Sequence, residues 1–219
     1  MAQTWRDVLF LHYPVEPKLL QDHVPFKLDE YNGQAIISIV SFTMESIRFP
    51  FLPSVPGLSK LNELNLRTYV DVDGKKGVYF FTLDADLKPA IFIARTFFSL
   101  PYRLAKIVVM KKHNSYFCKS LSSNTSIEMN AVIGDARASS HFDLWATERY
   151  GLFTKRNQDS LHGIVDHVPW HLHDVSLKSI EDNFSSQLGL NLKAKAFVGQ
   201  GYCKELKVKF RPFYKLRAF

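Results

Sequence analysis

Apolar and polar positions alternate with period two along much of this chain. The alternation runs through residues 33–45, 61–72, 77–85, 107–118, 125–133, 141–147 and 206–210, and that period puts successive side chains on opposite faces of a strand. Polar turns separate several of these runs, with Gly or Asn where a positive φ is needed, as in residues 71–77 and 119–124. Such turns predict hairpins and therefore antiparallel pairing. Helical signals are fewer. Pro17 opens a short helix that Pro25 ends, and Pro89 sits in the first turn of another running to about Phe98. Leu177, Ile180, Phe184 and Leu188 share one face of a helix expected over 176–188, closed by Gly189. The Pro-rich residues 49–57 read as a surface loop or flap, and Gly199-Gln200-Gly201 as a turn, because it lacks the strand–turn–helix context of a dinucleotide loop. No repeat or linker divides the chain. The expectation is one α+β domain over residues 1–219, mainly β, with a large antiparallel sheet and a few peripheral helices.

One strand is too polar. In residues 61–70, Leu64, Leu66 and Val70 share one face, while Glu63, Asn65, Arg67 and Tyr69 share the other. A solvent-facing row would be the simple explanation. The following strand argues against it, because Val78-Tyr79-Phe80-Phe81-Thr82-Leu83 is apolar on both faces. If the two strands pair, the polar row lies inside, where a carboxylate and a guanidinium must be paired or must face water or a ligand. A polar-lined pocket within a barrel-like sheet follows.

Composition sets the bounds. With 219 residues, 46% of them hydrophobic, the chain can bury a core without covalent staples. Its two cysteines, Cys118 and Cys203, form no disulfide scaffold, suit a reducing cytoplasm, and read as buried thiols without a catalytic triad. No apolar run approaches the length of a membrane span, and residues 6–11 lack the features of a signal peptide. A cytoplasmic protein without membrane association is expected. The formal charge is +7. Much of the excess lies in Lys204, Lys207, Lys209, Arg211, Lys215 and Arg217, whose period-two spacing reads as the wet face of a strand, suited to guarding a sheet edge. No nucleic-acid-binding signature accompanies it, so nucleic acid is not an expected partner.

The segments Glu63-Leu-Asn-Leu-Arg-Thr-Tyr-Val70, Gly77-Val-Tyr-Phe-Phe-Thr-Leu-Asp-Ala85 and Ala94-Arg-Thr-Phe-Phe-Ser-Leu-Pro-Tyr102 resemble, in order, the YqjF-like family of uncharacterised bacterial proteins. Phe10-Leu-His-Tyr-Pro14, Glu148-Arg-Tyr150 and His167-Val-Pro-Trp170 extend the likeness over most of the chain. The resemblance implies a fold similar to that of acetoacetate decarboxylase, a large curved sheet around a cavity. That enzyme's segment Gly-Arg-Glu, two residues, Gly-Phe-Pro-Lys-Lys then falls with its arginine at Arg95 and its proline at Pro101. The Schiff-base lysine becomes Tyr102 and the next lysine Arg103. Imine formation needs a primary amine of lowered pKa, which neither a phenol nor a guanidinium supplies. The decarboxylase glutamate has a counterpart in Glu63.

The residues from His162 to Asp174 hold several potential metal ligands, but Pro169 prevents a helix that would align them, so no metal site and no cofactor are expected. His167 and Trp170 are read instead as closing the cavity, and Glu148-Arg149 as an ion pair or a pocket element. The expected function is binding of a small anionic or carbonyl-bearing molecule. Asn65, Arg67, Tyr69, Phe81, Arg95, Arg103, His167 and Trp170 are the candidate ligand residues, with Phe80 the alternative to Phe81 as apolar wall. Two alternatives stand beside it: a lyase or isomerase acting on a keto acid, with Glu63 as general acid or base and Tyr102 as proton donor or oxyanion stabiliser, and a structural or interaction protein without a ligand. The sequence leaves homo-oligomerisation open.

Overall fold

The computed structural model describes residues 1–48, 60–192 and 197–216; the Pro-rich segment 49–57 lies outside them. In chain order the elements are β1 (Ala2–Val15), α1 (Pro17–Gln21), β2 (Lys27–Leu28), β3 (Ala35–Arg48), β4 (Lys60–Val72), β5 (Lys75–Ala85), α2 (Lys88–Phe98), β6 (Tyr102–Leu104), β7 (Lys106–Lys112), β8 (Ser115–Leu121), β9 (Ser126–Ala136), α3 (His141–Thr147), β10 (Gly151–Arg156), β11 (Asp159–His167), β12 (His173–Asp182), a 3-10 turn (Ser185–Leu188), β13 (Gly199–Phe210) and β14 (Tyr214–Lys215). Long antiparallel strands follow from the alternation. At the β4–β5 turn, Asp73 and Gly74 both take positive φ, as the tight hairpin requires.

The strands form one sheet in the order β14-β11-β10-β5-β4-β3-β1-β13-β12-β9-β8-β7. A further pairing, β11 to β13 through Val165–Phe210, closes seven of them into a ring: β1, β3, β4, β5, β10, β11 and β13. Only β10–β5 and β5–β6 run parallel. Two apolar cores result. One fills the ring, from Val8 and Phe10 to Leu152 and Val208. The other lies outside it, where Leu11, Ile39, Leu64 and Leu66 meet Tyr116, Cys118, Ile127 and Met129 of the overlying β7–β8–β9–β12 sheet. Both faces of β4 are therefore covered, and the polar row Glu63–Asn65–Arg67 looks into the ring.

Several sequence expectations fail for identifiable reasons. Residues 141–147 form a helix, not a strand: the Ser140 hydroxyl accepts from the Asp143 backbone amide, the Asp143 carboxylate accepts from the Ser140 amide, and this capping box outweighs the apparent alternation. The helix expected over 176–188 is the strand β12 followed by a single 3-10 turn. A register shift between Leu177 and Ser179 puts Leu177 and Ile180 on one face and so imitates helical spacing. Residues 199–201 begin β13. That strand lies inside the sheet, bonded to β1 and β12, so its lysines guard no edge. β1, β10 and β11 carried no strand prediction.

Candidate functional site

All seven ring strands supply walls to a cavity with room of about 60 Å³ for the centres of water-sized molecules. Val8 and Phe10 come from β1, Val40 and Phe42 from β3, Val78 and Phe80 from β5, Leu152 from β10, Val165 from β11 and Phe210 from β13. The polar lining is sparse: Glu63, Asn65 and Arg67 of β4, Tyr102 of β6, Thr147 and Arg149 at the end of α3, and His167. A mostly apolar pocket with a few convergent polar groups is the usual form of a small-molecule site.

Glu63 is 2% exposed. The Tyr102 hydroxyl donates to its Oε2 at 2.5 Å and Asn65 Nδ2 donates to Oε1 at 2.9 Å. Burial pushes the Glu63 carboxyl up to about 7, against the downward pull of these two hydrogen bonds and of the Arg67 charge. The Tyr102 phenol is held well above its ordinary value, by burial first and then by the neighbouring carboxylate, so it keeps its proton at neutral pH.

Arg67 is the exception to normal pairing. It is 9% exposed, its side chain makes no hydrogen bond or ion pair among the described residues, and its Nε is buried without a partner. Its guanidinium carbon stands 5.7 Å from the Phe10 ring and 5.9 Å from the Tyr69 ring. Arg149, 8% exposed, is fixed by Nε to the Trp145 carbonyl and Nη1 to Asp29, each at 2.5 Å, while its Nη2 is buried and unpartnered. It pairs with Asp29, not with its neighbour Glu148, which accepts from the Tyr150 hydroxyl.

The remaining candidates divide. His167 and Trp170 line the cavity, and Trp170 is anchored by Nε1 donating to the Thr147 carbonyl at 3.0 Å. Tyr69 shares the polar face but sits behind the guanidiniums, its hydroxyl 2.7 Å from Ser38, which in turn meets His12 Nδ1 at 2.7 Å. Burial and the Arg67 charge push His12 down to about 3, so that histidine is neutral. Phe81 faces the outer core and Phe80 the cavity. The β4–β5 register shift between Leu66 and Arg67 explains it, since a bulge reverses which alternate residues point inward. Arg103 turns away, its Nε bonding buried Asp84 at 2.7 Å. Arg95 is exposed on α2, beside a separate surface depression with Phe92 and Leu104. Neither arginine reaches the ring interior. His162 meets Tyr214, and among the described residues no three His, Cys, Asp or Glu side chains gather as metal ligands. No lysine lines the cavity among those residues either. Sequence reading missed the aliphatic walls from β1, β10 and β11, because the ring closure that gathers them leaves no local signal.

A family model described as "Uncharacterized conserved protein" matches residues 2–204. The uncharacterized protein YqjF of Bacillus subtilis (strain 168) is 36% identical over 98% of this chain and 92% of its own length. Among solved structures, an acetoacetate decarboxylase-like enzyme from Sphingomonas wittichii RW1 superposes with a TM-score of 0.72 at 11% identity, covering 100% of this chain and 93% of the other. The enduracididine biosynthesis enzyme MppR, complexed with pyruvate, superposes with a TM-score of 0.67 at 13% identity over 98% of this chain and 89% of its own. At such identities the likeness establishes an acetoacetate-decarboxylase-like fold and no more. No helix among the described residues is long and apolar enough to cross a membrane.

Proposed function

The chain belongs to the DUF2071 family of uncharacterized conserved proteins, and on that premise we propose that its ring interior binds a compact anionic molecule bearing a carbonyl group. One observation carries this reading: Arg67 is a buried guanidinium facing the cavity without a counter-ion among the described residues. An unpaired buried charge is costly, and a bidentate carboxylate relieves that cost with the geometry a guanidinium prefers. The Glu63–Asn65 pair on the same face of β4, with the Tyr102 hydroxyl from β6 bonded to Glu63, is placed to receive the carbonyl end. The pyruvate held by a protein of the same fold is consistent with a ligand of this size.

Isothermal titration of pyruvate and acetoacetate against the wild-type protein and Arg67→Met tests the proposal. Saturable binding by the wild type should weaken about tenfold or more in the variant, the magnitude of a lost charge-assisted hydrogen bond. The variant also sheds an uncompensated buried charge, so its folding is expected to hold, which a melting curve verifies. Equal affinities in the two proteins, or no saturable binding by the wild type, overturn the proposal.

A second reading has one observation in its favour. A carboxyl brought up to about 7 next to a protonated phenol is suited to moving a proton at neutral pH. Glu63 would then take or return the proton α to the carbonyl of a keto acid, with Tyr102 donating to the oxygen and no imine formed. Deuterium exchange into pyruvate, followed by NMR, should proceed with the wild type and fall to the uncatalysed rate in Glu63→Gln; no exchange by the wild type removes this reading and leaves the binding one.

A further inference from the structure

Resting on the binding reading above, we infer that the ligand carries two acidic groups, a compact dicarboxylate held between Arg67 and Arg149. The two arginines come from unrelated parts of the fold, β4 and the turn after α3, yet both line the same cavity. Each is at least nine-tenths buried and each keeps a buried nitrogen without a partner, Nε of Arg67 and Nη2 of Arg149. Arg149 is also immobilised. Its guanidinium carbon lies 4.4 Å over the Trp145 ring, and two of its three nitrogens are already bonded, which leaves Nη2 as the nitrogen without a partner. A fixed, desolvated donor of this kind is a built contact point rather than a flexible surface charge.

The two guanidiniums share a neighbour. Both guanidinium carbons stand near one Tyr69 ring, Arg67 at 5.9 Å and Arg149 at 5.3 Å from its centroid. The charges agree. Asp29 is shared between Arg149 and the half-exposed Lys76, and Arg67 has no counter-ion among the described residues, so the two guanidiniums are only partly neutralised. A monoacid would occupy one guanidinium and leave the other buried donor unpaired, a penalty worth about tenfold in affinity.

The test is a matched series titrated calorimetrically against the wild-type protein: malonate with propionate, and 2-oxoglutarate with 2-oxopentanoate. Each diacid should bind about tenfold or more tightly than its monoacid partner, and Arg149→Gln should bring that preference toward unity. Inorganic phosphate controls for a single doubly charged group and should bind more weakly than malonate. Equal affinities within the pairs, or phosphate binding more tightly than malonate, overturn the inference while leaving the binding reading intact. Failure of all four acids to bind defeats that reading itself. The wild-type comparison decides the matter even if the variant does not fold.

Discussion

Glu63 and Arg67 share a strand face but do not form an ion pair. Four residues along a strand separate Cα atoms by about 13 Å, and Asn65 stands between them, bonded to the carboxylate. The sequence identifies the face and leaves open whether its charges pair; in the structure Glu63 is satisfied by Tyr102 and Asn65, and Arg67 is left facing the cavity. A consequence follows for stability. A carboxyl whose pKa rises from an unfolded value of 4.5 to about 7 binds more protons in the folded state. Its contribution is fully present below 4.5, is lost as pH rises to about 7, and is level above that. Glu63→Gln keeps an acceptor for Tyr102 and has nothing to ionise. Urea denaturation of both proteins at pH 5 and pH 8 should show the wild type losing about 2.5 kcal/mol relative to the variant. A difference that does not change with pH would mean that the carboxylate stays ionised throughout and that burial does not dominate it.

At the level of elements, legibility depended on whether parity was preserved. β4 carries its polar row without interruption, so alternation alone identified Glu63, Asn65 and Arg67 as one face. Across the ladder from it, the bulge in β5 moved the inward position from Phe81 to Phe80, and no residue type in that apolar run announces the shift. β12 shows the same effect in stronger form, where irregular register converted a strand into an apparent helix. In α3 a local signal did exist: Ser140 with Asp143 three residues on, and Phe142, Asp143, Ala146 and Thr147 buried at helical spacing. That helix matters to the site because the turn leaving it places Thr147 and Arg149 against the cavity and ties Trp170 to the Thr147 carbonyl. The polar half of the lining was thus readable on one strand, while the half contributed from α3 depended on a cap that alternation concealed.

At the scale of the whole molecule, the ring exists because β11 meets β13, a contact between Val165 and Phe210 with no trace in local sequence. The polar row on β4 and the resemblance to a known fold both anticipated an interior hollow, but neither placed the contact that closes it. The fold is shared with an acetoacetate decarboxylase-like enzyme at 11% identity, so it does not fix the chemistry, which depends on which side chains project into the hollow. Where the resemblance aligns the decarboxylase's imine-forming lysine, this chain has Tyr102, bonded to Glu63 and unable to form an imine. The lysines among the described residues do not line the cavity, although the chain carries a formal charge of +7. An amine in water is protonated and a poor nucleophile, since the lowered pKa that imine formation needs comes from desolvation or a neighbouring cation. Borohydride added with acetoacetate or pyruvate should therefore leave the intact mass of the wild-type protein unchanged. Tyr102→Lys supplies the missing control: it would place an amine inside the ring, where burial favours the neutral form against the pull of the neighbouring Glu63, and a reduced adduct on that residue would show that the hollow admits the keto acid. A stoichiometric adduct on the wild type, at any lysine, would return imine chemistry to this protein and displace Tyr102 from the role assigned to it.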